Sequence, residues 1–105
     1  MNIQFMTNEN NGIPTGTKNW KGEENYRYIP DFTELLKNAT CGEEIEAIEQ
    51  CRACIDSGLL YGFTFSIVFT AKYMGKWQVM QHPWYYGASK EQMAKEIENM
   101  VNEMI

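Results

Sequence analysis

The chain opens on an alternation: Met1, Ile3 and Phe5 are apolar, while Asn2 and Gln4 between them are polar. That period of two predicts a short strand over residues 1–6. The same period returns over residues 61–73. There Tyr61, Phe63, Phe65, Ile67, Phe69, Ala71 and Tyr73 share one face, and Gly62, Thr64, Ser66, Val68, Thr70 and Lys72 share the other. One face is apolar and the other nearly polar, which predicts a strand covered on one side only. Met74-Gly75-Lys76 reads as a turn that returns the chain into a hairpin strand over residues 77–81. Pro83 ends that strand or moves it to an edge.

Helical spacing occupies three other stretches. Asp31 with Glu34 three residues on forms a start signal for a short helix with Phe32, Leu35 and Leu36 inward. Thr40 with Glu43 repeats the signal and opens a longer helix that Gly58 should close. On that helix Ile45, Ile48, Cys51 and Ile55 share an arc with Cys54 at its edge, and Glu46, Glu49 and Asp56 fall opposite. Ser89 with Gln92 opens the last helix, whose inward stripe is Met93, Ile97, Met100, Val101, Met104 and Ile105. Residues 7–24 hold Gly12, Pro14, Gly16 and Gly22 among Asn, Thr and Lys, and read as a long flexible loop. Residues 25–29 form a second short strand, ended by Pro30.

The resulting order, β, β, α, α, β, β, α, predicts an α+β fold. It is expected as a small two-layer sandwich, a mostly antiparallel sheet with helices packed on one face. At 105 residues the chain makes a single domain, 1–105, with one hydrophobic core.

Charge changes the picture by its placement. Between Asp31 and Asp56 seven carboxylates face only Lys37 and Arg52, which accounts for the whole formal charge of −5. The stretches on either side balance. An acidic element on a neutral body disfavours direct binding to nucleic acid and favours partners with basic surfaces. The first six residues lack the basic and apolar regions of a secretory signal, and no apolar run is long enough to span a bilayer. Three cysteines, an odd number, suit reduced thiols. The expectation is a cytoplasmic protein without a membrane segment.

Catalytic signatures are absent, so no catalytic residue and no cofactor is expected. Cys51-Arg52-Ala53-Cys54 is a C-x-x-C pair, with Cys41 and His82 as further ligand types. A structural zinc site wants two compact ligand pairs, and Cys41 and His82 do not make a second one. A redox role is disfavoured by position, because the last turns of a helix oppose a thiolate. Both cysteines are therefore read as packing residues, with no metal expected. His82 has no nucleophile assigned to it. The stretch Gly12 to Lys18 lacks the order of a phosphate-binding loop.

The His82-Pro83-Trp84-Tyr85-Tyr86 run stands out, since three consecutive aromatics cannot all enter one core. With Trp20 they are expected as anchors for a partner, and Glu46, Glu49 and Asp56 as a steering face. The leading expectation is a small acidic, non-enzymatic protein–protein interaction module. One subtype is a phage or mobile-element inhibitor of a nucleic-acid-binding host defence protein. The alternative is a small-ligand binder or enzyme, with an aromatic pocket of Tyr26, Tyr28, His82, Tyr85 and Tyr86 between the sheet and the 7–24 loop. A homodimer through a sheet edge or the last helix is a third reading.

Overall fold

A computed structural model describes residues 1–104. In chain order its elements are β1 (Ile3–Phe5), α1 (Asn8–Asn11), β2 (Gly12–Lys18), β3 (Glu24–Tyr28), α2 (Phe32–Lys37), α3 (Gly42–Asp56), β4 (Ile67–Tyr73), β5 (Lys76–His82) and α4 (Lys90–Asn102). The strands form two antiparallel sheets, one ordered β1-β4-β5 and the other a β2-β3 hairpin. The class is α+β.

The α+β class and the antiparallel strand pairing are those expected, and the structure adds where the helices lie. Helices cover both faces of the central sheet, because both faces of β4 are buried. Ile67, Phe69 and Ala71 pack with Met93 and Ile97 of α4. Val68 points the other way, into a cluster with Met6, Leu35 of α2, Ile48 of α3 and Phe63. Residues Ile67 to Ala71 are at most 3% exposed, so the strand is a near-continuous interior run. Thr70 made that second face look wet, yet its hydroxyl is bonded inside to Glu44.

Glu44 is the reason α3 sits there. Its carboxylate is 1% exposed and accepts hydrogen bonds from Thr70 Oγ1, Asn2 Nδ2, and both the backbone N–H and hydroxyl of Thr40. Burial works to raise its pKa; the hydrogen bonds from Thr70, Thr40 and Asn2 outweigh it and hold the group below its usual value. The polar side of β1 serves the same face. Asn2 Nδ2 also donates to Leu35 O at 2.7 Å, and Gln4 both accepts from Asp31 N (2.7 Å) and donates to Asp31 O (3.0 Å). The alternation through residues 2–5 thus marks a half-buried apolar face, Ile3 and Phe5, and a buried polar face, Asn2 and Gln4, hydrogen-bonded to α2, α3 and the residue before α2.

Capping follows the sequence in two helices and shifts in the third. Asp31 accepts from Glu34 N, and Ser89 and Gln92 bond each other reciprocally. In α3 the N-cap is Cys41, without a side-chain bond, and Glu44 rather than Glu43 reaches back to Thr40. This rotation leaves Ile45 43% exposed, outside the arc expected for it. Gly58 does follow the helix end, with φ +81° and its N–H on Ile55 O. On α4, Met93 and Ile97 are buried, with Met100, Val101 and Met104 beside them; Ile105 lies outside the described residues.

Two further segments depart from expectation. Residues 61–66 do not extend β4. Gly62 takes φ +119°, where an added Cβ would lie 3.0 Å from Tyr28 O, and Phe63 then pairs with Tyr28 instead. The segment read as a loop holds α1 and β2. Thr7 caps α1, Asn11 Nδ2 and N–H···O contacts tie it to Ile29, and β2 pairs with β3 across an irregularity between Pro14 and Lys18. Its Gly and Thr residues supply that irregularity: Gly16 sits at φ +82°, and Thr15 Oγ1 donates to Asn25 O.

Replacing Glu44 with Gln puts an NH2 group where donors already converge. The expected cost is about 1–3 kcal/mol, read as a lower Tm at roughly 4–8 °C per kcal/mol for a domain near this size. The depressed carboxylate also fixes a sign. Its contribution is complete above about pH 5 and is lost as pH falls through its lowered pKa. Glu44→Gln should therefore lose less stability than the native chain over that acid range. Equal acid sensitivity in chemical denaturation of the two would refute this role.

Candidate functional site

The expected anchors do not share one patch. Trp20 stands at the tip of the β2–β3 hairpin, 89% exposed, with the Lys21 ammonium 5.1 Å from its ring centre. The tip is held by Asn19, whose Oδ1 accepts from Lys21 N and Glu23 N, both at 2.9 Å. Trp84 is only half-buried but is used internally. Its Nε1 donates to Ala88 O at 2.8 Å, and its ring meets Phe5 edge-on at 5.1 Å on the α4 side of the sheet. Tyr85 and Tyr86 are outward, Tyr86 without any cover. Tyr85 meets the His82 ring edge-on at 5.5 Å, while His82 Nδ1 lies 2.7 Å from Pro83 O.

The acidic residues lie across the sheet from Trp84. Glu46, Glu49 and Asp56 are exposed on α3, which packs on the face opposite α4. Glu49 approaches Arg52 at 3.9 Å, a solvent-exposed pair of small energetic weight. Glu43 and Glu46 also wall a groove of about 640 Å³ between α3 and β5, whose floor includes Ala47, Cys51, Trp77 and Val79. Periodicity places Glu46 opposite the inward arc; the packing of α3 beside β5 turns it, with Glu43, toward a groove.

A second groove, of about 770 Å³, runs along the hairpin and carries Tyr26, Tyr28, Arg27 and Tyr61. Arg27 donates to Thr64 Oγ1 and Tyr28 OH to Asn8 Oδ1, so both side chains are already oriented. Burial, with Tyr26 beside it, pushes the Tyr28 hydroxyl pKa up. His82, Tyr85 and Tyr86 do not line this groove. Tyr61 was hidden in the sequence because the period-two run assigned it to β4.

The cysteines sit apart in character. Cys41 is exposed at the start of α3, whereas Cys51 is packed against the Ile48 cluster. Burial, then the neighbouring Cys54, pushes the Cys51 thiol up to about 11. Among the described residues no three His, Cys, Asp or Glu side chains come together as a metal-binding group. Cys51 should accordingly resist iodoacetamide at pH 8 while Cys41 is modified readily. Peptide mapping of a time course checks this, and equal rates at the two sites would contradict the burial of Cys51.

Among the described residues no helix is long and apolar enough to cross a membrane. Compared with protein-family models, with curated proteins and with solved structures, the chain matches none.

Proposed function

We propose that the chain is a small acidic protein–protein interaction module without catalytic activity, working in the cytoplasm. The observation that carries this reading is the outward acidic face of α3, where Glu43, Glu46, Glu49 and Asp56 are exposed with Arg52 as their basic neighbour. A face of this sign attracts basic protein surfaces and repels phosphate backbones. Trp20 and Tyr86 add large aromatic surface that packs against little in the free chain, as interface anchors do. An inhibitor from a phage or mobile element, covering the nucleic-acid-binding surface of a host defence protein, is one protein of this kind.

The hairpin groove favours a second reading, a small-ligand site. Tyr26, Tyr28 and Tyr61 offer aromatic surface with polar tips, and Arg27 adds a positive group. Such a ligand raises Tm by mass action.

Capture from a host lysate with native chain, with Glu46→Lys/Glu49→Lys and with Trp20→Ala/Tyr86→Ala tests the first reading. These surface changes should shift stability by no more than about 0.5 kcal/mol. The acidic variant should lower the association rate and flatten its salt dependence, and the aromatic variant should speed dissociation. A partner held equally by all three proteins would defeat the proposed surface. A metabolite that raises Tm, and fails to do so with Tyr26→Ala, would move the function to the hairpin groove.

A further inference from the structure

β5 is an open edge. The central sheet is ordered β1-β4-β5, and among the described residues β5 pairs only with β4. The parity of that edge follows from β1. Thr70 donates its backbone N–H to Asn2 O, so Thr70 faces β1, and its partner Val79 must face away from β4. The tight turn at Met74 and Gly75, both at positive φ, sets the same register. Trp77, Val79 and Gln81 therefore present their backbone N–H and C=O groups outward. Among the described residues none of these groups makes a backbone hydrogen bond beyond the β4 ladder.

Edge strands are ordinarily blunted by charge, proline or a bulge. Here Lys76 and Pro83 mark only the two ends, and the run from Trp77 to Gln81 between them carries neither. Val79 packs toward the α3 side of the sheet, and Trp77 shares its parity. Both line the groove of about 640 Å³ whose α3 wall bears Glu43 and Glu46 and whose β5 end bears Lys76, so two carboxylates face one ammonium. A strand laid on this edge would direct every second side chain into that groove. Its floor suits aliphatic carbon, and its wall suits a cation on a long stem, as in lysine or arginine.

We propose that the β5 edge and the adjoining α3 groove take an extended basic segment of a partner protein as an added strand. This rests on the interaction reading above and names the chemistry of the partner: alternate residues aliphatic or basic, held by main-chain hydrogen bonds to Trp77, Val79 and Gln81. The groove, more than the solvated remainder of α3, is then where the acidity acts.

The test uses the full isotope-labelled chain and the synthetic peptide Thr-Lys-Thr-Val-Thr-Lys-Thr, whose Lys and Val residues share one face. Its counterpart with Glu in place of Lys serves as control. The expected result is peptide-dependent slowing of amide exchange at Trp77, Val79 and Gln81, with Gln78 and Met80 unchanged. Glu43→Lys/Glu46→Lys should weaken the effect about tenfold. Unchanged exchange at all three outward amides would overturn the proposal, as would equal binding of the Glu peptide. Protection that rises with chain concentration alone would overturn it in favour of a second copy of the chain. Failure here is distinguishable from failure of the interaction reading. A native partner still captured by Trp77→Pro, which an outward edge position tolerates, removes the groove but leaves an interaction module. Peptide protection without any captured partner does the reverse.

Discussion

A single buried carboxylate organises the side of the sheet that carries α2 and α3. Glu44 is sealed from water and held by four donor groups drawn from Asn2 just before β1, from β4 and from the segment entering α3. An anion placed there without those donors would be strongly unfavourable, so the elements supplying them are bound to one arrangement. Asn2 and Gln4 extend the same logic to α2 by gripping the backbone at Leu35 and Asp31. Apolar packing supplies most of the driving force, at roughly 1.5–3 kcal/mol per large side chain buried. The polar network decides which face of α3 turns inward, and so which carboxylates remain outside.

Much of this organisation was legible from spacing. The cap at Asp31, the Ser89–Gln92 box and the stripe from Met93 to Met104 all correspond to observed contacts, because each depends on neighbours a few residues apart. The α+β class followed from the order of such elements. What spacing could not report was pairing at long range. Thr70 falls on the face that scans as polar because its acceptor lies on α3, and nothing in the spacing marks Glu44 as buried because two of its donors, Asn2 and Thr70, are remote in sequence. Residues 61–66 scanned as strand, but the backbone at Gly62 diverts them to β3. For the same reason the Trp84 side chain, prominent in sequence, is turned toward Phe5 and Ala88, and Trp77, inconspicuous in sequence, lines a groove.

The molecule has a dense body and an appended hairpin. Nearly every residue of β2 is exposed, and the hairpin joins the body through the Tyr28–Phe63 bridge, the Ile29–Asn11 contacts, Arg27 on Thr64 and Tyr28 on Asn8. A two-stranded unit with so few interior contacts has little stability of its own. Such a unit opens at a lower free energy than the body it is attached to. The acidic helix belongs to the body and Trp20 to the hairpin.

The pairing of β1 with β4 has a kinetic consequence. Ile3 lies opposite Phe69, so the first strand made is completed only when much of the chain exists. Until then Asn2 and Gln4 have no sheet to hold them, and Glu44 lacks the Asn2 donor. Closing so large a loop is slow, and contacts of this span lower folding rates across small domains. The α2–α3 pair and the β4–β5 hairpin are local and can form early. The N-terminal strand then acts as the closing piece, and its arrival converts a loosely associated set of helices and hairpin into a protein with one defined interior.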